Sequence, residues 1–281
     1  MNFKILTVDF LSENAPKDFV RSLRGTGFAV IKNHPITKSL LDRVYSDWTD
    51  FFNSNKKHDY LFHKENQDGY FPYKSENAKG YNSKDLKEFF HIYPWGRYPD
   101  IVGEDTLEFY ENIQYLGDEL LDWIDYASPK HVSKKFSSTL TSMIEDTDQN
   151  LLRVINYPPI KDLNTHGEIR AQEHADINLI TLLVASTQPG LQVKNKKGKW
   201  IDLKPNPGEL IVNIGDMLQE CSGGYFPSTV HRVVNPTNKN KHKARLSMPL
   251  FIHPRDEVIL SEKYTAGRYL EERLKEIGLK E

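Results

Sequence analysis

LLRVINYPP at 151–159 opens a series of short apolar runs that decides the fold. After it come NLITLLVAS (178–186), GLQVKN (190–195), KWIDL (199–203), GELIVNIGDML (208–218), STVHRVV (228–234) and ARLSMPLFIHP (244–254). Turn signals separate them, among them Asn195-Lys-Lys-Gly198, Pro205-Asn-Pro-Gly208 and Ser222-Gly-Gly224. Short β-rich runs at this spacing predict a sandwich or barrel of antiparallel strands. The fold expected is mainly β with flanking α-helices around a double-stranded β-helix (jelly roll) core.

Working outward, the tail at 261–279 has helical spacing, with Tyr269, Leu270 and Leu274 on one side. Upstream, Ile5 to Leu11 reads as a short strand. Residues 14–25 read as a helix with Pro16 in its first turn, and 28–34 as a second strand. From Thr37, a plausible N-cap, Leu40, Leu41, Val44, Tyr45, Trp48, Phe51 and Phe52 share one helical face. Residues 54–100 are polar and rich in aromatics, which predicts short strands or a functional loop. Helices are predicted over 104–126 and roughly 131–145. One structural domain is expected, divided as an N-terminal region (1–100), a helical segment (101–150), the core (151–255) and a C-terminal helix (256–281).

The chain has 281 residues, of which 38% are hydrophobic and 27% charged, so it has the composition of a folded globular protein. Its net charge of -2 offers no global attraction to nucleic acid or anionic membrane. The basic stretches at 194–199 and 239–243 read as solvated hairpin tips. One cysteine, Cys221, excludes an intrachain disulfide and a multi-thiolate zinc site. The first residues, MNFKILTVDFLSENAPK, lack the apolar core of a secretory signal, and no apolar stretch approaches a membrane span. The expectation is a soluble, cytoplasmic protein, monomeric or weakly self-associating, with no nucleic-acid or membrane partner. Any metal in it must be held by His and carboxylates.

His174-Ala-Asp176 is the first candidate for such a site. On a strand, residues two apart face the same way, so an imidazole and a carboxylate could reach one metal. Chance alone supplies about one His-x-Asp in a chain of this composition, and His63-Lys-Glu65 and His166-Gly-Glu168 have the same form. Context favours His174, which leads into an apolar run, while His231 sits in another β run 57 positions later. Distant strands become neighbours in a jelly roll. Two neutral imidazoles and one carboxylate with positions left open suit non-haem Fe(II). Arg245-Leu-Ser247 is the only Arg-x-Ser in the chain and lies in an otherwise apolar strand. A guanidinium fork with a hydroxyl on the same face would grip a carboxylate.

These motifs, with RVINYPP at 153–159, Gly190-Leu-Gln-Val193, Trp200, Asn213-Ile-Gly-Asp216, Ser228-Thr-Val-His-Arg232 and, upstream, Gly27-Phe28, Asn33-His34, Gly69-Tyr70 and Asp85-Leu-Lys-Glu88, resemble the isopenicillin N synthase-like family of Fe(II)- and 2-oxoglutarate-dependent oxygenases. The resemblance covers most of the chain. It implies that His174, Asp176 and His231 ligate iron, and that Arg245, Ser247 and Tyr157 bind 2-oxoglutarate. Asn213 and Asp216 match a family segment with a structural role. The family often has Asn-Tyr-Tyr-Pro where this chain has Ile155-Asn-Tyr-Pro158, and the 14 positions from His231 to Arg245 exceed the usual spacing. The implied activity is a dioxygenase using Fe(II), 2-oxoglutarate and O2 to hydroxylate, desaturate or cyclise a small molecule, releasing succinate and CO2. Two rivals share the scaffold: an oxidase that does not use 2-oxoglutarate or an ethylene-forming enzyme, and, more remotely, a non-catalytic metal-binding protein. Arg170, Tyr70, Tyr81 and Arg97 are the residues expected to meet a polar substrate.

Overall fold

The computed structural model describes residues 3–63, 65–76, 83–160 and 167–276. The chain begins with strand β1 (Thr7–Asp9), helix α1 (Ala15–Thr26) and strand β2 (Phe28–Lys32). Pro16 lies in the first turn of α1, where a missing N–H breaks no helical bond. The helix stops at Gly27, which takes a left-handed φ of 71° and donates its amide to the Leu23 carbonyl. Helix α2 (Lys38–Asn53) starts where the Thr37 side chain accepts from the Leu40 amide. A 3-10 turn follows at Asn55–Tyr60, then β3 (Gly69–Phe71), β4 (Glu88–Ile92) and the long α3 (Asp105–Ala127).

The single helix predicted over 131–145 is two short ones, α4 (Lys130–Ser133) and α5 (Leu140–Ile144). Ser137, Ser138 and Thr139 separate them. Their hydroxyls compete for backbone groups, and Thr139 caps α5 by accepting from the Ser142 amide.

The second half runs β5 (Leu151–Tyr157), β6 (Ala171–His174), β7 (Ile180–Val184), β8 (Leu191–Lys194), β9 (Trp200–Asp202), β10 (Leu210–Ile214), α6 (Asp216–Cys221), β11 (His231–Val233), β12 (Arg245–Ser247), β13 (Pro249–Ile252) and α7 (Ala266–Glu276). GELIVNIGDML is therefore not one β run. After Ile214 the amides of Gly215, Asp216 and Met217 donate to the carbonyls of Leu179, Asp176 and Ile177, which turns the chain into α6. The C-terminal helix starts only at Ala266, because the preceding segment folds back with Ile259 bridging Thr265. The last residues of the predicted span, 277–279, lie outside the described residues.

The strands form two open sheets. The larger has the order β1-β2-β10-β7-β13-β5-β4-β3, with β12 also paired to β5. The smaller has the order β6-β11-β8-β9. Their pairings are antiparallel, apart from parallel β1–β2. Alternation along each strand sorts the side chains between two cores. Ile180, Leu182 and Val184 of β7 and Leu210, Val212 and Ile214 of β10 join α1, α2 and α3 in the first core. Phe28, Phe89, Ile155, Tyr157, Leu183 and Ile211 face the other way, meeting Ala171, Leu191, Val193 and Val233 of the smaller sheet in the second core. The polar positions Thr181, Asn213, Arg245 and Ser247 fall in the same register as that second set.

Candidate metal centre

His174 is the last residue of β6 and His231 the first of β11, and the two are direct partners across the antiparallel pair. Their rings lie 4.5 Å apart, centroid to centroid. Asp176 is not on a strand, so same-face alternation is not what brings it to His174. It sits in the turn between β6 and β7, where its carbonyl accepts from the Asp216 amide at 2.7 Å. From there Asp176 Oδ1 reaches within 3.9 Å of His174 Nε2 and 3.8 Å of His231 Nε2. One ligand atom from each of the three residues falls within 4.8 Å of the others.

Hydrogen bonds fix how each group points. His174 Nδ1 is 2.7 Å from the Gln172 carbonyl and His231 Nδ1 is 3.2 Å from the Thr229 carbonyl. Each Nδ1 therefore carries a proton and donates, leaving Nε2 as the ring atom that faces Asp176. Burial, reinforced by His231, lowers the pKa of His174 to about 4, so its ring is neutral at pH 7. Asp176 Oδ2 accepts from Thr181 Oγ1 at 2.6 Å and from Asn213 Nδ2 at 2.8 Å. Burial alone would raise the Asp176 carboxyl. The two histidines and these two donors outweigh it and hold the group below the usual carboxylate range. Two imidazoles and one oriented carboxylate, converging from one side, are the donor set that fits Fe(II).

Arg245 lies directly across from Tyr157 in the β12–β5 pair, with its guanidinium 5.1 Å from the Tyr157 ring centroid. It is buried, at 2% exposure. Nε donates to the Gln188 carbonyl at 3.0 Å and Nη2 to Ser186 Oγ at 2.7 Å, while Nη1 has no partner. Ser247 Oγ sits 3.2 Å from Ser186 Oγ. No carboxylate of the described residues pairs with Arg245. An unsatisfied N–H on a buried cation fits an anionic oxygen supplied from outside the chain.

The four residues expected to meet the substrate separate widely. Tyr70 belongs to the first core, packs on Phe51, Phe52 and His58, and donates its hydroxyl to Glu88. It is on the helix side of the large sheet, away from the metal ligands, because alternation sends Gly69 and Phe71 the other way. Arg97 is committed to Asp68, with Nε and the amide donating to Oδ2 at 3.0 and 2.9 Å, and to the Leu61 carbonyl. It braces the turn before β3. Tyr81 lies outside the described residues, as does His166. Arg170 alone is buried toward the second core, beside Tyr157.

Several pairings near the metal ligands were not read from the sequence. Lys87 pairs with Glu76 at 2.7 Å and Asp85 at 2.9 Å, and Asp85 Oδ1 accepts the Gln172 amide two residues before His174. Arg153 Nε donates to His91 Nε2 at 2.8 Å, and its guanidinium lies 4.6 Å from the Phe89 ring centroid. The signal was present in the alternation of Asp85, Lys87, Phe89 and His91. Their partners come from distant segments, which the sequence alone does not pair.

The family model for the 2OG-Fe(II) oxygenase superfamily matches residues 149–254, and that for the N-terminal region of non-haem dioxygenases in morphine synthesis matches 11–109. A Dictyostelium discoideum protein named as an iron/ascorbate oxidoreductase is 30% identical over 86% of this chain and 74% of its own length. A flavonol synthase-type protein of Arabidopsis thaliana is 27% identical, over 86% and 73%. Among solved structures, a protein classed as an oxygenase from Shewanella oneidensis superposes with a TM-score of 0.89 at 49% identity, covering 98% of this chain and 99% of that one. Full-length Neurospora crassa T7H in complex with alpha-KG superposes with a TM-score of 0.79 at 26% identity, covering 96% and 95%.

Proposed function

The chain belongs to the 2OG-Fe(II) oxygenase superfamily and is a non-haem Fe(II)- and 2-oxoglutarate-dependent dioxygenase, and we propose that it oxidises a small polar metabolite at the His174–Asp176–His231 centre. Its fold is the jelly roll of its solved relatives, with sheets left open. The bound iron and 2-oxoglutarate together supply O2 activation, with release of succinate and CO2. His174, Asp176 and His231 hold the iron. Asn213 and Thr181 keep Asp176 Oδ1 turned toward it. Arg245, Ser247 and Tyr157 orient the 2-oxoglutarate from inside the second core.

The observation that carries this reading is the direct pairing of His174 with His231, which sets both Nε2 atoms beside one Asp176 oxygen. A polar substrate is supported by the Lys87, Glu76, Asp85, Arg153 and His91 cluster beside β6. Its charges are balanced within the protein, which favours a polar molecule over a strongly charged one. Neurospora crassa T7H has also been solved with thymine, a polar ring. Of the described residues, those of the N-terminal region (1–100) add β1–β4 to the large sheet, while α3 of the helical segment (101–150) and, after the 151–255 core, α7 in the C-terminal part (256–281) flank the sheets. No described helix is long and apolar enough to cross a membrane. The single, buried Cys221 fits the proposal of a cytoplasmic protein; that it acts as a monomer or weak homo-oligomer is part of the same proposal.

The test is substrate-stimulated succinate release by the Fe(II)-loaded protein across a panel of polar metabolites. O2 consumption without succinate would instead establish the oxidase reading.

A further inference from the structure

Arg170 is a second buried cation in the same interior. It is 1% exposed and just precedes β6. Nη2 donates to the Lys243 carbonyl at 3.0 Å, while Nε and Nη1 are buried without a partner. Its guanidinium lies 5.9 Å from the Tyr157 ring centroid, and that of Arg245 lies 5.1 Å from the same centroid. No carboxylate of the described residues pairs with either arginine. Burial, and next the charge of Arg245, lower the Arg170 pKa to about 10, so it remains a cation at pH 7, and a guanidinium such as that of Arg245 keeps its proton inside proteins.

Two buried like charges with three unpaired N–H-bearing nitrogens are costly unless an anion joins them. Asp176 does not serve, since its oxygens are taken by Thr181, Asn213 and the metal position. Packing alone does not require an arginine here, because an apolar side chain of that length would fill the space without the desolvation.

We propose that Arg170 and Arg245 form one two-guanidinium subsite, arranged about Tyr157, that receives the distal carboxylate of 2-oxoglutarate. Arg170 thereby sets the preference for a dicarboxylate over a monocarboxylate 2-oxo acid. This rests on the co-substrate reading above.

The experiment is an anaerobic titration of the full-length Fe(II)-loaded protein, followed by the iron-to-ligand charge-transfer band. The ligands are 2-oxoglutarate and 2-oxopentanoate, which has a methyl group in place of the distal carboxylate. Arg170→Met should weaken 2-oxoglutarate by roughly tenfold or more and leave 2-oxopentanoate within about twofold of wild type. Arg170→Lys should recover part of the loss. Arg170→Gln, which keeps donors without charge, should show the same selectivity and covers the case in which Met impairs folding. Equal loss for both ligands, or unchanged 2-oxoglutarate affinity in Arg170→Met, would overturn the proposal. Loss in Arg245→Met with none in Arg170→Met overturns it while the co-substrate reading stands. A wild-type protein with no saturable band would overturn both.

Discussion

Asp176 divides its two oxygens between roles, and the metal site depends on that division. Oδ2 is held by Asn213 and Thr181, and Oδ1 faces the two imidazoles. Substituting His174, Asp176 or His231 by Ala should abolish iron retention and succinate production together. Asn213→Ala or Thr181→Val keeps all three ligands but removes an orienting bond to Asp176, and should weaken Fe(II) by about 10- to 100-fold in a chelator competition. A fully active His231→Ala protein would remove the ligand assignment. Arg245 poses a different test at the same scale. Breaking a buried charged pair costs about 3–5 kcal/mol. Arg245→Ala should therefore raise the 2-oxoglutarate requirement by roughly two to three orders of magnitude, with Arg245→Lys in between because it loses the planar fork. Ser247→Ala removes one charge-assisted bond, worth about 1.5–3 kcal/mol. Fe(II) content should be unchanged in these three variants, because none supplies a ligand.

At the level of elements, the site depends on where strands stop. Gly215 ends β10, and a Cβ there would stand 2.0 Å from the Asn178 carbonyl oxygen. That oxygen belongs to backbone in the β6–β7 turn and cannot rotate away. Gly215→Ala should lower both the melting temperature and Fe(II) affinity, because the Asp176 turn must shift to admit the methyl group. Thr37→Ala offers a contrast. It removes the N-cap of α2 and should cost about 1 kcal/mol of stability, read by denaturant midpoint, while Fe(II) and 2-oxoglutarate affinities stay unchanged. The α2 face packs Leu40, Val44, Trp48 and Phe51 into the first core, on the far side of the large sheet from the metal ligands.

For the whole molecule, the buried histidines set the acid limit. Burial lowers His174 and His253 to about 4 and keeps His91 well below its ordinary value. In the unfolded chain these rings titrate near 6.5. The folded state thus binds fewer protons, so stability is present above pH 6.5 and is lost as pH falls toward 4. The slope is about 1.4 kcal/mol per pH unit for each ring that stays neutral. Asp125 runs the other way. Burial raises it to about 6, so its contribution is lost as pH rises from the ordinary carboxylate range through 6. Burial also raises Asp118, Glu119 and Asp216 and lowers His34, but histidines ordinarily titrate inside this window and carboxylates below it, so the metal-free protein is expected to be less stable at pH 5 than at pH 7. Urea midpoints at the two pH values check this, and equal midpoints would contradict it. His253→Gln should flatten part of the slope without touching a metal ligand.

The β-rich texture after residue 151 and the residue types at 174, 176, 231, 245 and 247 were legible in the linear chain. Alternation and an uncompensated charge in an apolar strand are local properties. By itself the sequence therefore determined the jelly-roll class and the residues proposed for the metal and co-substrate sites. Which face a side chain takes, and what it meets there, depends on register against distant strands. Tyr70 and Arg97 looked available for substrate, but the register of β3 on β4 and the Asp68 carboxylate turned both into packing. Asp176 reaches the metal position from a turn clamped by α6, a contact between segments 40 residues apart. Arg170 looked like a substrate residue at the metal. Only the tertiary structure set it beside Tyr157 and Arg245, because β6 and β12 belong to different sheets whose approach no local pattern encodes.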